Sequence, residues 1–472
     1  MAVFYNVGES KIRPGLYQRH VNVGFDVLAG KQDGLCAIPV QASWGPLGKV
    51  VKNTLKSELV ANYGAGTYSK ENGYTVPAAE AMFEGGASVV YTYRLGTGGK
   101  AATKEITSGV TATAKYPGTL PISLAVQTKL GDTATKQFLV YADDTLVETW
   151  EFAADTKAEG ANLVAAAAGS KYVTVAGTAT TVPVLAVASG AMTGGTNPTV
   201  TNEDYTKAFA ALEPYYYNTI ALDVDDADMA LSELLQEYLS NAFKVGKLCQ
   251  AVVGEKTTVA FETRLAHARA FNDSKVIYLG GGYYVGEENR DGVMAICYTA
   301  GVIAATPSNQ GITHLAINGA TALCEDLTYS QYEQAIDAGM LMVSMAADGS
   351  IWYDSGITTL TKPEPGTQDE GWKKIRRSKV RFELIHRLDV ALNPKVGRVS
   401  ADTDGIADIV QTGMRVVNAM VAEGKLAIGA NFCEDPNNPF NGDSAYFIIQ
   451  VDDIDSLEKI YLQYQFRYSQ KS

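Results

Sequence analysis

Two glycine clusters, Gly96-Thr97-Gly98-Gly99 and Gly194-Gly195, divide this chain into stretches that obey different periodicities. Between them the composition turns to Thr, Ala and Val, and helix-period patterns nearly vanish. LPISLAVQTKL, KQFLVYADDTLVETWEF and KYVTVAGTATTVPVLAV read as strands, and the Asp143-Asp144 pair marks a hairpin turn. On either side strands alternate with helices. A β-rich module, sandwich or barrel, is therefore expected to interrupt an α/β host. Its glycine seams are expected to be flexible, so that it can be lost without unfolding the host.

The host pattern is clear on both flanks. Before the insertion, GLCAIPVQASWGP reads as a buried strand and turn, PAAEAMFEGGA as a helix stopped by glycines, and VVYTYRL as an alternating strand. After it, NEDYTKAFAALEPY is a capped helix, and NTIALDV and SKVIYLGGGYY are apolar strands of the kind buried in a parallel sheet. Between those strands Met229, Leu231, Leu234, Leu235, Leu239 and Phe243 form a helical stripe closed by Gly246. This alternation predicts a sheet covered on both faces. Beyond the Pro/Gly-rich TKPEPGTQDEG come a long amphipathic helix ending at Gly424 and two strands, SAYFIIQVDDI and SLEKIYLQYQFRYS. With 472 residues and roughly 100–200 per domain, three or four domains are expected. The fold class is α/β plus β, multidomain. The expected division is an N-terminal arm 1–20, an α/β part 21–97, the β-rich insertion 98–197, an α/β core 198–360 and a C-terminal α+β domain 361–472.

The two ends carry an unusual signal. Ile460, Leu462, Tyr464, Phe466 and Tyr468 alternate with Tyr461, Gln463, Gln465 and Arg467, so both faces of a final strand have something to bury. AVFYNV, with Val3, Phe4, Tyr5 and Val7, is a second run of strand formers, followed by the hinge-like GESKIRPG. Chains usually fray at their termini and seldom place strong strand formers there. The periodicity fits pairing within the chain and addition to the sheet edge of another subunit equally well.

Evidence for bound chemistry is thin. His20, His267, His314 and His386 are scattered without an i+4 ligand partner, and five cysteines include no C-x-x-C pair, so neither a metal site nor a disulfide framework is expected. Gly280-Gly281-Gly282 lacks the G-x-G-x-x-G spacing, and no G-x-x-x-x-G-K-[ST] occurs. No cofactor is expected. The start of the chain has no basic segment followed by an apolar core, and the apolar run from Val293 to Ala305 is too short for a membrane span. Synthesis in a cytoplasm is the expectation. The formal net charge is -13, which argues against direct contact with nucleic acid or an acidic membrane. Residues 361–400 depart from that balance, with ten basic side chains against five acidic. Lys373, Lys374, Arg376, Arg377, Lys379 and Arg381 are its centre. A solvated basic face and salt-sensitive pairing with an acidic neighbour are both open readings.

Several signatures in order resemble the tail sheath family of contractile phages and phage-tail-like, R-type bacteriocins. They are Gly194-Gly195-Thr196 followed by Asp204-Tyr205 and ALEPYYYNTIALD, then YTAGVIAATPSN over residues 298–309 with its AG-x-I-A core. AIDAGMLMVS, Trp372-Ile375-Arg376, the long helix and the final EKIYLQYQF follow. The resemblance spans nearly the whole chain outside residues 98–193. It implies a subunit that stacks as six-membered rings around an inner tube, with a subtilisin-like core and terminal arms that donate strands to adjacent rings. The implied partners are further copies of itself, the tail tube protein, and baseplate and tail terminator proteins. The basic segment would then face the tube or the acidic 200–240 region of another subunit. The implied location is a virion tail or bacteriocin particle, assembled in the host cytoplasm and released by lysis.

The subtilisin-like label makes a hydrolase the reading to test, with a surface carbohydrate-binding protein built on residues 98–193 as a further alternative. Asp223 or Asp225, His314 and Ser344 stand in the chain order of a subtilisin triad. His314 is not followed by glycine, Ser344 follows Met-Val rather than Gly-Thr, and only 30 positions separate them (344 − 314). No catalytic residue is expected.

Overall fold

The computed structural model describes residues 3–4, 17–18, 33–155, 157–177, 184, 187–225 and 229–466. At its centre lies a seven-stranded sheet in the order Met340–Leu341, Val276–Leu279, Gln250–Gly254, Thr219–Ala221, Leu35–Val40, Val89–Arg94 and Val50–Asn53. All neighbours are parallel except the last pair, which is antiparallel. Strand residues alternate between two cores as the pleat requires. Cys36, Ile38, Val40, Val252 and Ile277 face one, while Ala37, Ile220, Ala251, Val253 and Tyr278 face the other. Both faces are covered, which explains why these strands read as continuous apolar runs.

On the first face the helices Val76–Glu84 and Val293–Ala305 cross at very short range. A Cβ on Gly301 would stand 2.1 Å from the Met82 carbonyl oxygen, and one on Gly85 would stand 2.2 Å from that of Tyr298. The apolar run that is too short for a membrane is this helix, buried along nearly its whole length. Among the described residues no helix is long and apolar enough to cross a membrane.

The insertion forms two antiparallel sheets, one of four strands (Thr145–Ala153, Asp132–Ala142, Ile122–Lys129, Val187–Ala191) and one of three (Val173–Gly177, Val110–Ala114, Thr103–Thr107). Asp143 and Asp144 both adopt positive φ at the hairpin turn, as a two-residue loop of matching twist requires. A helix absent from the sequence expectation, Glu159–Ala166, packs Leu163 into the same core as Phe138, Val140 and Val175. The seams also differ from expectation. Instead of flexible joints, the glycine clusters form a hydrogen-bonded neck, with reciprocal backbone bonds joining Thr97 to Thr199, Lys100 to Thr196 and Thr103 to Thr193. Host and insertion also share a core through Trp44, which stacks on Tyr172 at 5.7 Å and meets the edge of Tyr116 at 5.1 Å. Below it the buried Arg94 donates to the carbonyls of Ala42, Gly45 and Pro117 at 2.7–3.0 Å, joining the strand end to the insertion.

The C-terminal part packs Ile375–Leu392 against Thr403–Ala422 and the hairpin Asn431–Glu434/Phe447–Gln450. Asp402 caps the second helix by accepting from the Gly405 N–H at 2.8 Å. Phe432 lies over Gly413, where a Cβ would sit 2.5 Å from its ring. The chain then runs on without strand pairing from 454 to 466.

Candidate assembly site

The C-terminal end is built in two parts, an anchored root and a free length. The short 3-10 turn Glu370–Lys373, Lys374 and the first turns of the helix Ile375–Leu392 carry the basic residues singled out above, and most of them turn to the root. Arg377 donates to both carboxylate oxygens of Asp453, at 2.5 and 3.0 Å, and Arg381 adds a bond of 3.0 Å. The Asp453 side chain is only 8% exposed. Burial alone would raise its pKa, but the hydrogen bonds from Arg377 and Arg381 outweigh that and hold it below the ordinary aspartate value. Backbone bonds support the same point, from the Ala427 N–H to the Asp452 carbonyl at 2.8 Å and from the Ile454 N–H to that of Lys425 at 3.1 Å. Farther along, Arg376 donates to Ser456 Oγ at 2.9 Å, while Glu458 accepts from Lys374 and, at 3.0 Å, from Thr313 Oγ1.

The remaining basic residues have other partners. Arg381 also forms a two-pronged pair with Asp369 at 2.9 Å and lies 4.6 Å above the Trp372 ring, and Lys373 pairs with Glu370 at 2.7 Å. Lys379 departs most from expectation. Instead of facing a tube or neighbour it is buried, its pKa lowered by that burial to about 8, and it donates to the Ile303 and Thr306 carbonyls at the end of the helix Val293–Ala305. A cation there complements the orphan carbonyls and the negative end of the helix dipole. The sequence reading missed the acidic partners of this segment. Their signal is the run Asp452, Asp453, Asp455 and Glu458, which lies 72–84 positions downstream of the basic residues it pairs with.

Past Glu458 the arm leaves the body. Ile460 is 70% exposed, Tyr461 88%, Leu462 70%, Tyr464 73% and Phe466 93%. Tyr464 and Phe466 stack at 6.3 Å, as side chains two apart on one face of an extended chain do. Both faces of the alternating segment stay uncovered, and no strand within the described residues pairs with it. Tyr468 lies outside the described residues. At the other end Val3–Phe4 pairs in parallel with Tyr17–Gln18, while Tyr5 and Val7 lie outside the described residues.

The triad residues of the hydrolase reading are engaged elsewhere. Asp223 accepts from Thr75 Oγ1 at 2.5 Å and Tyr205 Oη at 2.7 Å. Asp225 accepts from the Val293 N–H at 2.9 Å and pairs with Lys256 at 3.0 Å. His314 stacks on Trp352 at 4.1 Å, and Ser344 lies within a strand, donating to Asp354 and accepting from Trp352 Nε1, both at 2.8 Å. Its proton is directed at a carboxylate, not an imidazole.

Comparison with known proteins agrees with this architecture. Residues 199–358, which contain four strands of the parallel sheet and the helix bearing Gly301, match the family model of the phage tail sheath protein central domain. Residues 199–358 are thus similar to the central domain of tail sheath proteins. Over 97% of its length and 98% of the relative's, it is 24% identical to the phage-like element PBSX protein XkdK of Bacillus subtilis. In fold it is similar to a sheath tail protein from Listeria innocua (TM-score 0.70, 19% identity, covering 89% of this chain and 95% of that one). A sheath tail protein from Desulfitobacterium hafniense is equally similar (TM-score 0.70, 19% identity, 93% and 100%). The contracted helical sheath of the anti-feeding prophage is more distant (TM-score 0.54, 10% identity, 97% and 99%). The sheath family is a structural one.

Proposed function

We propose that this chain is the sheath subunit of a contractile phage-type tail or tail-like particle, polymerising as stacked hexameric rings around an inner tube. Its two termini donate strands to copies in adjacent rings, and contraction from a metastable extended state drives the tube through a target envelope. The partners are other copies, the tube, and baseplate and terminator proteins. In this reading the division at 20, 97, 197 and 360 is one of structural domains, and the subtilisin-like core has no catalytic duty.

The exposed arm carries the proposal. A segment with five large apolar or aromatic side chains at least 70% exposed is poorly suited to water and well suited to a sheet edge. The hairpin Asn431–Glu434/Phe447–Gln450 has only two strands, so its outer edges are open to addition among the described residues. Removing residues 459–472 tests the reading. The truncated chain should stay folded and soluble, since residues 459–466 are exposed, yet form no rings or tubes by negative-stain microscopy under conditions where the full chain does. Unfolding of the truncated chain, or its normal assembly, would overturn the proposal.

A further inference from the structure

The root of the arm is held by two clasps of different make. The inner clasp, at Asp453, combines a buried carboxylate, two guanidinium groups and backbone bonds on both sides. The outer clasp, at Ser456 and Glu458, has no backbone ladder among the described residues, and three of their side chains supply its contacts: Arg376, Lys374 and Thr313. Leu457, between its two holding points, is 83% exposed, so no apolar packing reinforces it. Arg376 is also incompletely satisfied, with its Nε buried and unpartnered among the described residues. Ser456 sits against Gly311, where a Cβ would come within 3.0 Å of its Oγ, so the segment lies close to the core without being bonded into it.

We propose that residues 455–458 are a stored length of tether. The outer clasp opens under load while the inner clasp holds, and the free arm then begins at Asp455 instead of Lys459. This rests on the reading that the arm is seated on a neighbouring copy. Four added residues at about 3.4 Å each extend its reach by roughly 14 Å. The clasp yields before the seated strand because a strand holds by a ladder of backbone bonds, whereas the outer clasp holds by a few side-chain contacts. Those contacts include ionic ones near the surface, so salt weakens them: the screening length falls from about 10 Å at 0.1 M to about 3 Å at 1 M.

The clasp is tested first in the unassembled full chain, with Cys324 and Cys433 changed to Ser and a nitroxide label on Leu457→Cys. At low salt the spectrum should show a restrained label. In Lys374→Met/Arg376→Met, or in wild type at about 1 M salt, its rotational mobility should rise several-fold. A control label on Asp452→Cys should not respond. A label at 457 that is already free at low salt, or unmoved by the double variant, overturns the proposal. The stored length is tested next in assembled tubes by bridging Thr313→Cys to Glu458→Cys with a short cleavable bis-maleimide. Extended tubes should form, fail to contract while bridged, and contract after cleavage. Contraction at the normal extent while bridged overturns the tether. Absence of tubes from the unmodified chain instead refutes the assembly reading, while the label experiment stands on its own.

Discussion

Gly301→Ala asks whether the crossing of the two buried helices determines this residue. An added Cβ would stand 2.1 Å from the Met82 carbonyl oxygen, where ordinary contact begins at 3.4 Å, so the helices must separate by roughly 1.3 Å. The move has little room on the far side. The next residue back, Ala300, has its carbonyl bonded to Thr219 Oγ1 at 3.0 Å, and Cys297, Ala300 and Ile303 are all buried against the sheet. Gly85 faces Tyr298 across the same crossing at 2.2 Å, so neither helix can slide without meeting the other. Alanine improves helix propensity by about 1 kcal/mol. Overpacking of a tight core costs about 1–3 kcal/mol, and more where backbone rather than a side-chain tip is the obstacle. The net expectation is a loss of about 2 kcal/mol, read as a lower urea midpoint in the transition that removes helical ellipticity. Gly301→Val, with a larger and β-branched side chain, should lose more. A midpoint for Gly301→Ala equal to or above that of wild type would mean that propensity outweighs the contact and would refute the reasoning.

Trp44→Ala removes the ring shared by host and insertion and should cost about 3–5 kcal/mol, seen as earlier proteolysis within residues 98–197 than in the remainder of the chain. Arg94→Leu leaves the carbonyls of Ala42, Gly45 and Pro117 without their donor. At about 1–3 kcal/mol for each buried unmet acceptor, a total loss near 3 kcal/mol or more should appear in the same denaturation experiment. The Asp453 carboxyl is held below its ordinary value, so its contribution is full above about pH 4, where the unfolded group ionises, and is lost as pH falls through the lower folded value. Fluorescence of Trp372, which lies under Arg381, should therefore change below about pH 4 and not between pH 5 and 7. Arg381 also holds the Asp369 carboxyl low, so Asp453→Asn combined with Asp369→Asn should remove the acid transition, and its persistence in that double variant would assign it elsewhere.

How much of this was readable in advance depended on how local each determinant is. Four strands of the central sheet were, among them NTIALDV and SKVIYLGGG, because burial on both faces leaves near-continuous apolar runs, whereas Gln250–Gly254, Val50–Asn53 and Met340–Leu341 were not singled out. In the insertion Ile122–Lys129, Asp132–Ala142, Thr145–Ala153 and Val173–Gly177 were too, while Thr103–Thr107, Val110–Ala114 and Val187–Ala191 were not singled out. Its helix Glu159–Ala166 was not, because EGANLVAA is short and fully buries only Leu163 of its apolar side chains, with Val164 and Ala166 half-buried beside it, so no clear stripe develops. Gly301 was visible as part of a motif, but its reason, a carbonyl on another helix more than two hundred positions earlier, was not. The basic segment was visible as charge and was read as a surface. Its destination depended on an acidic run 72–84 positions away and on the fold that brings the two together.

The final strand is the clearest case. Period-two alternation states that both faces want partners, but pairing is decided by which edge lies about 4.8 Å away, and no local pattern carries that information. What the three-dimensional arrangement adds is a sharp change of character at Glu458. Before it, every second or third residue is bonded to the body. After it, the side chains on both faces are exposed, including Tyr461 at 88% on one and Leu462 at 70% on the other. A segment meant for its own core would lose its exposure on at least one face. This one keeps both faces free and fixes its root with charge, which positions an arm without consuming the surfaces it offers.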